Sequence, residues 1–257
     1  MTTSRKAVNG ESRWVTIRHP RPQARVRLFC LPYAGGGASV FQRWPDLLGQ
    51  GIEICPVLLP GREERIMESA AVSMEEIIPR LAAGIAPYAD RPFAFFGHSM
   101  GGLMAFELSR YLCEQGRRRP FRIMLSGCTP LRSSVRRHLL PDDALREEIR
   151  RLNGVPAEIL DNQELMEIVL PILRADFTLV ETYEPSPAAL VPIPISVFAG
   201  HSDPIAPPAQ TLGWGKYTTA RFTTHVLAGD HFFLHQPEPL TRLIRQELAD
   251  TVGIAPQ

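Results

Sequence analysis

Long hydrophobic runs are missing from this 257-residue chain. The longest apolar stretches fall well short of the roughly 20 residues needed to cross a bilayer as a helix. The opening stretch, MTTSRKAVNGESR, has no apolar centre, so it is not a secretory signal and reads as a loose tail. Charge of one sign is also missing. Twenty-eight basic side chains meet 27 acidic ones, for a net charge of +1. A protein built to hold nucleic acid needs a basic excess that this chain lacks. Cysteine is sparse. Cys30, Cys55, Cys113 and Cys128 form no C-x-x-C pair and have no histidine cluster beside them. That leaves neither a zinc site nor a disulfide framework, and fits small buried hydrophobes in a reducing cytoplasm. The triple glycine at 35–37 is not followed by Lys-Ser or Lys-Thr, which excludes a Walker phosphate loop, and no G-x-G-x-x-G pattern supports a dinucleotide site. Neither cofactor nor metal is expected.

What the chain does have is rhythm. Six apolar runs read as strands: 25–33, 52–59, 93–97, 121–127, 193–200 and 221–229, with WVTIR (14–18) as a possible edge strand. Several are almost continuously apolar, as strands covered on both faces are. Helical patterns lie between them at 73–88, 100–115 and 237–252. Ser73 and Glu76 form a capping-box pair for the first, while Pro79 implies a kink or a later start. The alternation predicts an α/β fold with a mainly parallel sheet and helices on both faces. From about 130 to 187 the rhythm stops: no strand is convincing, and 141–152, 156–160 and 162–183 read as helices. The expectation is one domain, residues 1–257, carrying a helical insertion.

Gly97-His98-Ser99-Met100-Gly101 follows an apolar strand and precedes an amphipathic helix. That context turns a weak G-x-S-x-G match into a nucleophile elbow, whose strained turn demands small residues two before and two after the serine. His98 adjoins Ser99, and side chains on a sharp turn diverge, so the base is sought after the last strand. His231, in LAGDHFFLHQP, has that position; His235 lies nearer the C-terminal helix and His225 inside the strand. Among acids, Asp203 sits in the loop after strand 193–200. Asp230 adjoins His231, and Asp176 and Glu181 belong to the helical insertion. Asp203 is the best placed to hold the imidazole in one tautomer. An oxyanion hole would take the N–H of Met100 and a second N–H from the glycine-rich loop CLPYAGGGAS (30–39). On these residues alone the chain is a serine hydrolase of an acyl compound. A carboxylesterase or lipase with the same triad, or a non-catalytic binding module on the same fold, shares the pattern.

LPYAGGGAS, PGREER (60–65), FGHSMGGLMAFELSR, LPILRADFTLVETY and AGDHFFL together resemble the type II thioesterases of polyketide and nonribosomal-peptide synthesis, and the related stand-alone thioesterase of animal fatty-acid synthesis. The likeness runs from about 26 to 248, with the blocks in the same order. It implies an α/β-hydrolase in which 130–187 is a lid. It also implies hydrolysis of acyl groups from the phosphopantetheine thiol of a carrier protein, by Ser99, Asp203 and His231, with Ala34 and Met100 supplying the oxyanion-hole amides. No membrane partner is implied, and a monomer is expected. The arginine-rich GRRRP (116–120) and LRSSVRRH (131–138) depart from the family pattern. Arg132, Arg136 and Arg137 are expected to help dock the acidic carrier.

Overall fold

The computed structural model describes residues 13–131, 134–184 and 190–252. In chain order these form β1 (Val26–Leu31), α1 (Trp44–Leu48), β2 (Ile52–Pro56), α2 (Met74–Ile85), β3 (Phe93–His98), α3 (Met100–Glu114), β4 (Ile123–Ser126), α4 (Asp142–Leu152), α5 (Ala157–Leu160), α6 (Gln163–Thr182), β5 (Ile195–Gly200), α7 (Pro208–Thr211), β6 (Phe222–Leu227) and α8 (Pro237–Val252). The strands make one sheet in the order β2-β1-β3-β4-β5-β6, every pairing parallel.

The period of two along each strand divides the core. Phe29, Leu31, Phe95, Ile123, Leu125 and Val197 point to a cluster shared with α2 and α3. Their neighbours Leu28, Cys30, Ala94, Phe96, Met124 and Phe198 point the other way, to Trp44 and Leu48 of α1 and to Leu240, Ile244 and Leu248 of α8. Both faces are therefore covered, which is why these strands read as unbroken apolar runs. WVTIR contributes only an isolated antiparallel bridge, Val15 to Val57, and no edge strand. The helix at 74 begins at its cap, with Ser73 Oγ accepting the Glu76 N–H at 3.4 Å, and runs through Pro79. Its buried stripe (Ile77, Ile78, Leu81, Ala82, Ile85) holds it across the missing donor. The segment expected to be a loose tail lies mostly outside the described residues, as does Arg132. Among the described residues no helix is long and apolar enough to cross a membrane.

Between β4 and β5 the chain leaves the sheet and builds α4, α5 and α6. Leu145, Ile149, Met166, Leu170 and Leu173 pack into a small core of their own. Further along α6, Leu179 and the following Tyr183 join the core of the sheet. The longest inserted helix thus belongs to two cores.

A buried polar network ties the far edge of the sheet to α8. Glu247 accepts from Ser196 at 2.8 Å and Thr223 at 3.0 Å, pairs with His225 at 2.6 Å, and meets the Arg122 guanidinium. Burial alone would raise its pKa, but the bonds from His225 and Ser196, the positive Arg122 and the bond from Thr223 outweigh it and bring it down to about 2. A carboxylate with a depressed pKa lends stability above its unfolded value and loses it as pH falls through the folded one. We therefore expect about 3 kcal/mol of the unfolding free energy to disappear between pH 5 and pH 2 on account of Glu247. Urea unfolding of Glu247→Gln should show a lower stability at pH 7 and a flatter loss toward acid. Parallel acid profiles for the variant and the parent would refute this.

Candidate active site

Strand order reverses at β1, which pairs with β2 on one side and β3 on the other. At such a switch point the loops after adjacent strands diverge and leave a crevice at the carboxyl ends. The loop after β1 carries the three glycines, and the turn after β3 carries Ser99. Ser99 has φ 54° and ψ −116°, a conformation that costs a non-glycine residue about 1–3 kcal/mol. The turn is possible only because its flanks are bare. A Cβ on Gly97 would lie 2.0 Å from the Gly101 carbonyl oxygen, and one on Gly101 would lie 2.2 Å from that of Leu31. The Ser99 N–H donates to the Ser126 carbonyl at 2.7 Å, tying the turn to β4. Met100 opens α3, so its N–H has no partner one helical turn back and lies in the positive end of the helix dipole.

Asp203, in the loop after β5, and His231, after β6, meet in a bond of 2.8 Å between Oδ2 and Nδ1. The other carboxylate oxygen accepts the N–H groups of Ile205 at 2.8 Å and Ala206 at 2.9 Å. Burial pushes the Asp203 pKa up; the bond to His231, the imidazole's charge and those two N–H groups outweigh it, and the group is held below its ordinary value. Asp203 therefore stays ionised, with both oxygens occupied and its orientation fixed. Only Nε2 of His231 remains to face a substrate. Ser99, His231 and Ala34 line one cleft of about 660 Å³, counted out to its open mouth. Across from them stand Ile149, Val155, Phe177 and Val180 of the inserted segment, so most of the wall is apolar.

The other candidates have separate employment. His98 is fully buried, with Nδ1 at 2.9 Å from Ser126 Oγ. Burial, and the positive charge that His231 can carry, push its pKa well down, so it is neutral. His235 pairs with the Tyr33 hydroxyl at 3.1 Å and stacks on Phe232. His225 serves the Glu247 network. Asp230 accepts the Phe232 N–H at 2.9 Å and shapes the loop around His231. Glu181 pairs with Arg137 at 3.3 Å and His138 at 2.6 Å. Asp176 binds Arg62 at 2.8 Å.

One expectation is corrected. Arg137 is not displayed to a docking partner: it turns inward to Glu148 at 2.9 Å and Glu181 at 3.3 Å and lines the cleft. A buried carboxylate 44 positions away captures a charge that its neighbours in sequence make look solvated. Arg136 donates to the Glu181 carbonyl at 3.1 Å. Cys30, Cys55 and Cys128 are buried free thiols, and Cys113 is half-buried. Among the described residues no group of three or more His, Cys, Asp or Glu side chains is gathered to hold a metal ion.

A thioesterase domain model matches residues 26–249. Linear gramicidin dehydrogenase LgrE of Brevibacillus parabrevis is 39% identical over 245 residues, covering 92% of this chain and 93% of its own. Thioesterase PikA5 of Streptomyces venezuelae is 38% identical over 225 residues, covering 86% of this chain and 80% of its own. Among solved structures, the type II thioesterase BorB from the borrelidin biosynthetic cluster superposes with a TM-score of 0.84 at 30% identity, covering 93% of this chain and 99% of that one.

Proposed function

The chain belongs to the thioesterase family and is a type II thioesterase of the polyketide and nonribosomal-peptide kind, with the α/β-hydrolase fold; from that premise we propose that it removes aberrant or stalled acyl groups from the phosphopantetheine thiol of carrier proteins. Ser99 is the nucleophile, His231 the base and Asp203 the group that orients it. The Asp203–His231 bond beside an elbow serine in one apolar-walled cleft is the observation that supports this most strongly. Ser99 Oγ attacks the thioester carbonyl carbon and passes its proton to Nε2 of His231. The oxyanion formed sits against the N–H groups of Met100 and Ala34. As the carbon–sulfur bond breaks, the imidazolium returns the proton to the departing thiol. Water then attacks the acyl-serine with the same base, releasing a carboxylic acid and restoring the hydroxyl.

Intact-mass analysis of acyl-loaded carrier proteins, before and after incubation, tests this. Loss of the acyl mass with the pantetheine arm retained is expected. Rapid hydrolysis of p-nitrophenyl esters with no effect on acyl-carrier protein or acyl-pantetheine would instead make the enzyme a carboxylesterase.

Within a single domain, 130–187 serves as a lid whose helices enclose the acyl chain. Val155 and Val180 line the cleft from this segment. Val155→Phe or Val180→Phe should cut kcat/KM for long acyl chains about tenfold or more and spare the shortest, since burial of each methylene contributes about 0.8 kcal/mol. An equal loss for every chain length would remove the lid from the acyl site. In hydrogen exchange, α4 and α5 should open more readily than β4; equal protection would deny the lid its mobility.

A further inference from the structure

Two conspicuous motifs, PGREER and RADFTLVETY, meet behind the glycine-rich loop without supplying a triad residue. Arg62 forks onto Asp176, with its two terminal nitrogens donating to Oδ2 at 2.9 Å and Oδ1 at 2.8 Å. The pair is almost wholly enclosed, 5% and 2% exposed. Neither partner stops at the other. Asp176 Oδ2 also accepts the Gly35 N–H at 2.7 Å, and the Arg62 guanidinium also donates to the Gly36 carbonyl at 3.0 Å. These are the two residues directly after Ala34.

The neighbouring contacts point the same way. Glu63 accepts two further N–H groups of the loop, from Ala38 at 3.1 Å and Ser39 at 3.0 Å. Leu173, one helical turn before Asp176 on α6, lies against Gly35 so closely that a Cβ there would be 2.5 Å from its Cδ2, and Gly35 has φ 79°. The loop is gripped by charge on one side and by a leucine on another, and both the carboxylate and the leucine come from α6.

We propose that Arg62 and Asp176 form a positioning pair that holds the Ala34 N–H at the oxyanion site and thereby ties the oxyanion hole to the seating of α6. The inference rests on the reading of Ala34 as an oxyanion donor. Its physical basis is that an oxyanion donor works by being fixed before charge develops. Within the loop, the peptide unit that carries the Ala34 N–H has one restraint, the Gly36 N–H donating to the Tyr33 carbonyl at 2.9 Å, and that turn is itself built on glycines that rotate freely unless held. Fixing the Gly35 N–H and the Gly36 carbonyl removes the rotations that would swing the Ala34 amide aside. A planar guanidinium suits this task because its in-plane N–H groups fork onto both carboxylate oxygens while another reaches the Gly36 carbonyl; an ammonium has three donors but no such fixed fork.

The test compares Asp176→Asn, Arg62→Lys and the neutral pair Arg62→Gln/Asp176→Asn with the parent. Active serine is titrated with a fluorophosphonate, and the label is located by mass. For each single variant, kcat per titrated site should fall about 10- to 100-fold while KM for acyl-pantetheine stays within about twofold, as displacement of one donor predicts. The rate of phosphonylation should slow with kcat, because that reaction also places charge on an oxygen in the hole. The neutral pair, with no buried charge left unpaired, should recover thermal stability relative to Asp176→Asn without recovering kcat. A kcat per titrated site equal to the parent's, however far the melting temperature drops, would make the pair merely structural and overturn the proposal. Ala34→Pro, which deletes the N–H itself, separates the two readings. If it loses turnover while Asp176→Asn keeps it, only the positioning pair falls. If both keep turnover with Ser99 labelled, the oxyanion assignment falls as well.

Discussion

Ser99→Ala is expected to lower kcat by about 10⁶-fold, the scale set by removal of a triad serine from an unrelated protease. The loss is this large because the serine oxygen is the atom that bonds to the acyl carbon, and among the described residues no other serine or threonine lines the cleft. Stability should hardly change, since alanine inherits the same strained backbone, φ 54°. Ser99→Gly divides the two consequences. It should be equally inactive, yet more stable by about 1 kcal/mol, because relief of strain outweighs the extra freedom glycine gains when unfolded. That corresponds to about 2–4 °C in Tm for a chain of this size. Turnover, fluorophosphonate labelling and calorimetry on the three proteins check it. More than a tenth of parental turnover in Ser99→Ala, or a label on another residue, would remove Ser99 from the mechanism. A lower Tm for the glycine variant would show that the turn stores no strain.

Loss of the base should be nearly as severe. His231→Ala is expected to match Ser99→Ala within about tenfold, and Asp203→Asn to cost about 10⁴-fold, by the effect of the corresponding change in a serine protease. In the asparagine variant an amide sits where Nδ1 needs an acceptor, and the ring loses its fixed tautomer. Neither Asp203 nor His98 should contribute a limb to the pH–rate profile near neutrality. Asp203 is held below its ordinary range and is already charged; His98 is pushed well down and is already neutral. His98→Ala and His235→Ala should therefore keep the shape of the profile. If His98→Ala, folded, cost more kcat than His231→Ala, or if a limb of the profile vanished with it, the assignment of the base would be reversed.

The triad candidates were legible in the sequence because each follows the carboxyl end of a strand, and strands covered on both faces announce themselves as apolar runs. Ser99 comes directly after β3, Asp203 just past β5 and His231 just past β6. The inserted helices were legible from their periodicity, and the structure sets their ends at Leu152, Leu160 and Thr182. What failed to show was anything decided by a distant partner. Arg62 and Asp176 stand 114 positions apart, one in a loop and one on a helix, and no local pattern reports that they share two hydrogen bonds. Arg137 misled for the same reason: its neighbours in sequence are arginine and histidine, whereas its neighbours in space are carboxylates. WVTIR has a strand's composition, but a single bridge to Val57 is all it forms.

The membership of α6 in two cores bears on exchanging parts between related enzymes. A chimera that imports another protein's helical insertion as a block, joined at the ends of β4 and β5, would replace Leu173, Asp176, Leu179 and Tyr183 along with the acyl-facing wall. It would separate Arg62 and the glycine loop from the helix that seats them. A crossover placed within α6, just before Leu173, keeps with the recipient a side chain that packs both in the insertion's own core and against Gly35, together with Asp176, Leu179 and Tyr183. Donor sequence on the N-terminal side of that point would alter the pocket, and recipient sequence on the C-terminal side would preserve the catalytic floor. Libraries built with that breakpoint should return a larger share of active members than libraries that trade the whole insertion.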